Sequence, residues 1–150
     1  MGVALTGKDT SIIGTRILAD LADGDCVNLD FPNNLVEAKI GKNGNTVYAF
    51  NATGKQATAT IRVLRGSADD KHFSSEMNAY INDPAAYTLL SGEFIKRIGD
   101  GEGNITADIY QFKGGVIQKI PTVKENVEGA TDQGVSIYTI IFANTARIMG

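Results

Sequence analysis

The sequence predicts a mainly β fold, an antiparallel β-sandwich or barrel with one flanking α-helix. Three observations carry this. Ala57, Ala59, Ile61 and Val63 alternate with Thr58, Thr60 and Arg62, the period-two signature of a half-buried strand. Directly after it, Phe73, Met77, Tyr80 and Ile81 recur at i, i+4, i+7 and i+8, the one convincing helical stripe. The chain also has 17 glycines against three prolines, and the glycines punctuate the alternating runs as hairpin turns do.

The helix is expected over Ala68 to Asn82. Ser67 stands three residues before Asp70, a capping-box spacing, and Asp69 and Asp70 put negative charge in the first turn. Asn82, Asp83 and Pro84 end it. The stripe should pack on the β-core, leaving Lys71, Ser75 and Asn78 outward.

In chain order, Met1 to Thr10 reads as an extended arm and Ser11 to Leu18 as a first strand. Asp25 to Phe31 alternates cleanly, with Val27, Leu29 and Phe31 on one face. Leu35 to Ile40 and Thr46 to Asn51 flank Gly41 to Asn45, GKNGN, a hairpin turn because Asn-Gly accepts positive φ. Ala52 to Lys55 is a turn leading into the Ala57 strand. Thr88 to Ile98 and Ile105 to Phe112 flank a second tip, GDGEGN. Gly114 and Gly115 mark a turn or bulge. Val116 to Val123 reads as an edge strand interrupted at Pro121, and Lys124 to Gln133 as a loop. Val135 to Phe142 is apolar on both faces, so both must be covered. Ala143 to Gly150 reads as a short tail.

The 150 residues suit one domain, 1–150, able to bury roughly 70% of the unfolded chain's surface. A net charge of −3 without a basic block argues against a phosphate-gripping nucleic-acid binder. Cys26 is alone, so no intramolecular disulfide forms, and it reads as a small buried hydrophobe. No apolar run approaches the ~20 residues of a membrane helix, and no signal peptide is apparent; the expectation is synthesis in a cytoplasm.

Catalytic chemistry finds little footing. His72 is the single histidine and reads as solvent-facing. One His and one Cys cannot close a tetrahedral metal site. No nucleophile elbow surrounds any serine. Asp69 and Asp70 read as helix-start charges rather than a catalytic pair. GDGEGN lacks the ligand periodicity and terminal Glu of an EF-hand, and neither GKNGN nor NATGK has the phosphate-loop pattern. The residues point to a structural or binding module, not an enzyme, with no cofactor.

The segments GKNGNTVYAFNATGKQATATIRVLRGSADDKHF, SGEFIKRIGDGEGNITADIYQFKGGVI and ENVEGATDQGVSIYTIIF, together with the opening LTGKDTSIIGTRILADLADGDCVNLDFPNN, resemble the tail tube proteins of contractile-tailed bacteriophages. That family shares the Hcp-like fold, a β-sandwich or barrel with one helix. The resemblance implies hexameric rings stacked into a tube inside a contractile sheath, with the genome passing through the lumen. It implies contact with its own copies, the tail sheath protein, and baseplate and tail-terminator proteins. It further implies transient, non-specific passage of DNA, no stable membrane insertion, and a place in the virion. The rivals are a small-ligand-binding β-barrel with an apolar cavity and an Hcp-like secretion-system tube component.

Two expectations concern residues. The hairpins Leu35 to Asn51 and Thr88 to Phe112 would put apolar faces into the subunit core and line a channel with polar faces, with Glu37, Glu93 and Lys39 as candidate lumen residues. Contacts between copies would use the tips Lys42, Asn43, Gly44, Asp100, Gly101 and Glu102, the doubly apolar strand at Tyr138 and Ile140, and the two termini through Val3, Leu5, Ile148 and Met149.

Overall fold

In the computed structural model, which describes residues 2–150, the chain is mainly β with one helix. The strands are β1 (Ala4–Leu5), β2 (Thr10–Ile13), β3 (Arg16–Ile17), β4 (Val27–Asp30), β5 (Val36–Ile40), β6 (Thr46–Phe50), β7 (Ala57–Leu64), β8 (Leu90–Gly99), β9 (Ile105–Ile117) and β10 (Val135–Met149). Helix α1 spans Ala68–Asn82. Eight strands form one antiparallel sheet in the order β3-β2-β8-β9-β10-β7-β4, with β1 also paired to β8; β5 and β6 form a separate two-stranded ribbon.

The core explains how one sheet makes two layers. Ile13 on β2 and Ala59, Ile61 and Val63 on β7 lie at opposite ends of the strand order, yet belong to one buried cluster. The sheet therefore curls so that its two halves face each other. Phe112 and Phe142 stack at 5.0 Å inside it. The alternating face expected of β7 is fully buried, from Ala57 to Val63.

Helix α1 starts as its capping spacing predicts. Ser67 Oγ accepts from the Asp70 amide at 3.2 Å, and Asp70 Oδ2 accepts from the Gly66 amide at 2.8 Å. Phe73 is fully buried, 5.1 Å from the Tyr138 ring. The stripe narrows away from it: Met77 and Tyr80 are half-buried and Ile81 is 58% exposed. The helix outlasts the sheet beneath it, which is why Ile81 finds no cover. Lys71, Ser75 and Asn78 are exposed as expected.

Four segments differ from expectation. Ser11 to Leu18 is two short strands folded back at Gly14, whose φ of 66° is left-handed. Ile12 pairs with Ile17 across that turn. The arm pairs with its own chain at Ala4–Gly99 and Leu5–Ile98; Met1 lies outside the described residues. Val116 to Val123 is not a separate strand: β9 runs through Gly114 to Ile117, and the chain after Gln118 is a loop. Ala143 to Gly150 is not a tail, because β10 continues to Met149 along β9. The expected turn at Gly114 is instead a kink inside a strand. Gly114 has φ 70°, and a Cβ there would lie 3.1 Å from that of Ala143. The pair Ala143–Gly114 is missing from the ladder, and alternation flips there on both strands. Ile140 and Phe142 are buried before the kink, Phe112 and Asp108 after it.

Candidate functional site

The feature that stands apart is the β5–β6 ribbon. Its register is Val36–Phe50, Glu37–Ala49, Ala38–Tyr48, Lys39–Val47 and Ile40–Thr46. Cross-strand partners share a face, so Val36, Ala38, Ile40, Tyr48 and Phe50 form one apolar face, and Glu37, Lys39, Val47 and Ala49 the other. Both are open to solvent. Ile40 and Tyr48 are each 72% exposed, and every residue of β5 is exposed. The expectation that this hairpin's apolar face enters the subunit core is therefore corrected: the curled sheet closes its core without it.

The root of the ribbon is firmly built. The Asn51 amide donates to the Leu35 carbonyl at 2.9 Å. Asn51 Oδ1 accepts from Thr53 and caps a short 3-10 turn at Ala52–Lys55. Asn33 Nδ2 donates to the Thr53 carbonyl and to Gln56 Oε1, both at 3.2 Å. Gly54 passes so close to the Asn34–Leu35 backbone that a Cβ would sit 2.6 Å from it. A two-stranded hairpin alone is marginally stable in water, so a pinned root with uncovered faces is the form of a docking element.

The other expected residues fall as follows. Glu37 and Lys39 lie on the ribbon's polar face, and Lys42, Asn43 and Gly44 at its exposed tip. Glu93 is half-buried on β8 opposite Gln111, on a different sheet from Glu37 and Lys39. Gly101 and Glu102 are exposed at the β8–β9 tip. Asp100 is half-buried and turned inward on its own loop: its carboxylate accepts from the Glu102 and Asn104 amides and from Asn104 Nδ2 at 2.7–3.1 Å. Tyr138 and Ile140 are corrected. They are 2% and 0% exposed, packed inside their own chain, because the Ser136–Phe142 alternation sends even-numbered residues into the core. The exposed residues of that strand are Ile137 and Ile141. Val3, Leu5, Ile148 and Met149 are each at least half exposed even though their strands are paired.

His72 is corrected too. It is half-buried beside the Gly14 turn, 5.6 Å from the Phe73 ring, and its Nε2 is buried without a partner among the described residues. Asp69 acts differently from a simple helix-start charge. It is fully buried and accepts from the Ala19 and Asp20 amides at 2.8 and 2.6 Å and from Arg16 Nε at 2.6 Å. The sequence carried no signal for that role, since the partners lie some fifty residues upstream.

Among the described residues no group of three or more His, Cys, Asp or Glu is placed to hold a metal ion. No helix is long and apolar enough to cross a membrane. The largest hollow is an open groove of about 480 Å³ beside the end of α1, with Glu76, Asp83 and Tyr87 in its wall. It lies outside the core, whose interior the Phe112–Phe142 stack fills.

Fold and site thus define a curled β-sheet protein with one helix and a projecting, uncovered hairpin. No known family and no curated protein matches the sequence. Among solved structures, the chain is similar to the sheath/tube terminator of an extracellular contractile injection system (PVC), in its extended state. The TM-score is 0.56 at 10% identity, covering 97% of this chain and 94% of that one. Near-complete coverage of both chains makes the shared fold a property of the whole molecule.

Proposed function

We propose that this protein is a structural subunit of a contractile tail, acting by self-assembly rather than catalysis. The observation that carries the reading is the β5–β6 ribbon, rooted firmly yet uncovered on both faces. The whole-length likeness to a contractile injection system component supports it, as does the resemblance of the sequence to tail tube proteins.

In the finer form, copies close into hexameric rings that stack as the inner tube of a phage tail. The genome passes through the lumen, and sheath, baseplate and terminator proteins are the neighbours. Glu37, Lys39 and Glu93 are the proposed lumen residues, and a lining without a lysine or arginine excess suits DNA passage, because each neutralised phosphate would strengthen binding. The tips at Lys42–Gly44 and Asp100–Glu102 are the proposed contacts between rings.

A second reading is favoured by the printed description of the similar structure: a terminator-type ring that caps a tube instead of repeating along it. Negative-stain imaging of the concentrated chain separates the two. Hollow tubes of stacked rings support the tube subunit, and single rings the terminator. A monomer at every concentration overturns self-assembly.

A further inference from the structure

We propose that the apolar face of the β5–β6 ribbon of one chain packs against the outer face of β8, β9 and β10 on a second copy. This rests on the assembly reading and names the two patches that meet. A ring needs a heterologous interface, one patch meeting a different patch on the next copy. The chain offers two open apolar sheet faces. The first is Val36, Ala38, Ile40, Tyr48 and Phe50 on the ribbon.

The second lies on the side of the main sheet turned away from the core. Ile95 pairs with Ile109 and Ile109 with Ile148, a row of isoleucines across three adjacent strands. Beyond the Gly114 kink the same outer side continues through Ile141 and Ile137. Ile148, Ile137 and Ile141 are 51%, 43% and 38% exposed.

The dimensions agree. Three strands span about 10 Å and the Ile141–Ile148 stretch runs about 23 Å, while five ribbon residues run about 17 Å. Two sheets in face contact pack about 10 Å apart, with side chains interdigitating. Charge agrees as well. One glutamate and two lysines give residues 35–51 a charge of +1; the whole chain is at −3, so the rest carries −4. Ribbon and body attract. The ribbon's own chain keeps it off this face, leaving a second copy as the occupant.

The test is mixed-chain cross-linking in a Cys26→Ser background. One chain carries Tyr48→Cys and the other Ile148→Cys, both at exposed positions, and the probe is a short bis-maleimide. The expected result is a cross-linked pair that appears in quantity only when both chains are mixed and that lessens at least tenfold with Phe50→Asp on the ribbon chain. Oligomers that form without a 48–148 product, or Tyr48→Cys chains that link equally well to one another, overturn the proposal and leave the assembly reading standing. Absence of oligomers at any concentration overturns both.

Discussion

The Asp69 carboxylate lies 2.6 Å from Arg16 Nε, joining the first turn of the helix to an edge strand 53 residues earlier. Two backbone amides, of Ala19 and Asp20, complete its acceptor shell. The contact fixes the segment that leads the chain from the β2–β3 hairpin back across the core. Leaving buried donors without an acceptor costs about 1–3 kcal/mol each. Asp69→Ala should therefore destabilise by roughly 3 kcal/mol, read as a lower urea midpoint. An unchanged midpoint would show the anchor to be idle.

Stability should fall at both ends of the pH scale. Burial pushes the Asp69 carboxyl up, but the Asp20 amide, the Arg16 guanidinium and the Ala19 amide together hold it below its ordinary 3.8. The Arg147 hydrogen bonds hold Asp108 down in the same way, against a smaller upward push from burial. A depressed carboxyl contributes stability above its unfolded pKa and loses it as pH falls through the folded one. Tyr138 works oppositely. Burial, then its hydrogen bond to Asp70 at 2.6 Å, raises it above its ordinary 10.0, so its contribution fades as pH rises past that value. Urea midpoints across pH should show a plateau with an acid limb below about pH 4 and an alkaline limb above about pH 10. The Asp69→Asn variant should flatten the acid limb, and an identical limb would contradict the assignment.

Gly115 lies under the Phe142 ring, and a Cβ there would come within 2.4 Å of Cε1 and 3.0 Å of the Leu90 carbonyl. Overpacking of this kind typically costs about 1–3 kcal/mol. Gly115→Ala should lower the melting temperature by several degrees, and Phe142→Leu in the same chain should restore part of the loss. Equal melting of Gly115→Ala and the parent protein would refute this packing.

Arg65 holds the root of the long 118–134 loop, donating to the carbonyls of Gln133, Thr122 and Val135 at 3.0–3.1 Å. Arg65→Ala should speed hydrogen exchange across Thr122 to Val135 at least tenfold with little change in β7. Uniform exchange across both segments would mean that the arginine stabilises the fold globally instead.

Strands whose alternation is uninterrupted were readable from sequence, as β7, the β5–β6 ribbon and the β8–β9 hairpin demonstrate. The helix was readable because its caps are local. What escaped depends on distant geometry. The kink at Gly114 and Ala143 flips two strands together, which no single-strand period reveals. β10 looked doubly apolar, yet Tyr138 and Ile140 are core while Ile137 and Ile141 are surface. Residues 143–149 looked like a tail because Asn144, Thr145 and Arg147 are polar, but Arg147 pairs with Asp108 at 2.8 Å and lies over the Tyr110 ring at 5.3 Å. The ribbon's exposure was hidden for a related reason: an apolar face reads the same whether its own chain or a neighbour covers it.

The central claim is that the ribbon drives self-assembly, and sedimentation velocity over a concentration series tests it most directly. The parent chain is compared with Tyr48→Asp/Phe50→Asp, both positions being exposed in the single chain at 72% and 64%. The account predicts that the parent chain sediments as species well above the 15.9 kDa monomer, growing with concentration, while the double variant stays monomeric with an unchanged melting temperature. A parent chain that remains monomeric throughout, or a double variant that assembles equally well, would contradict it.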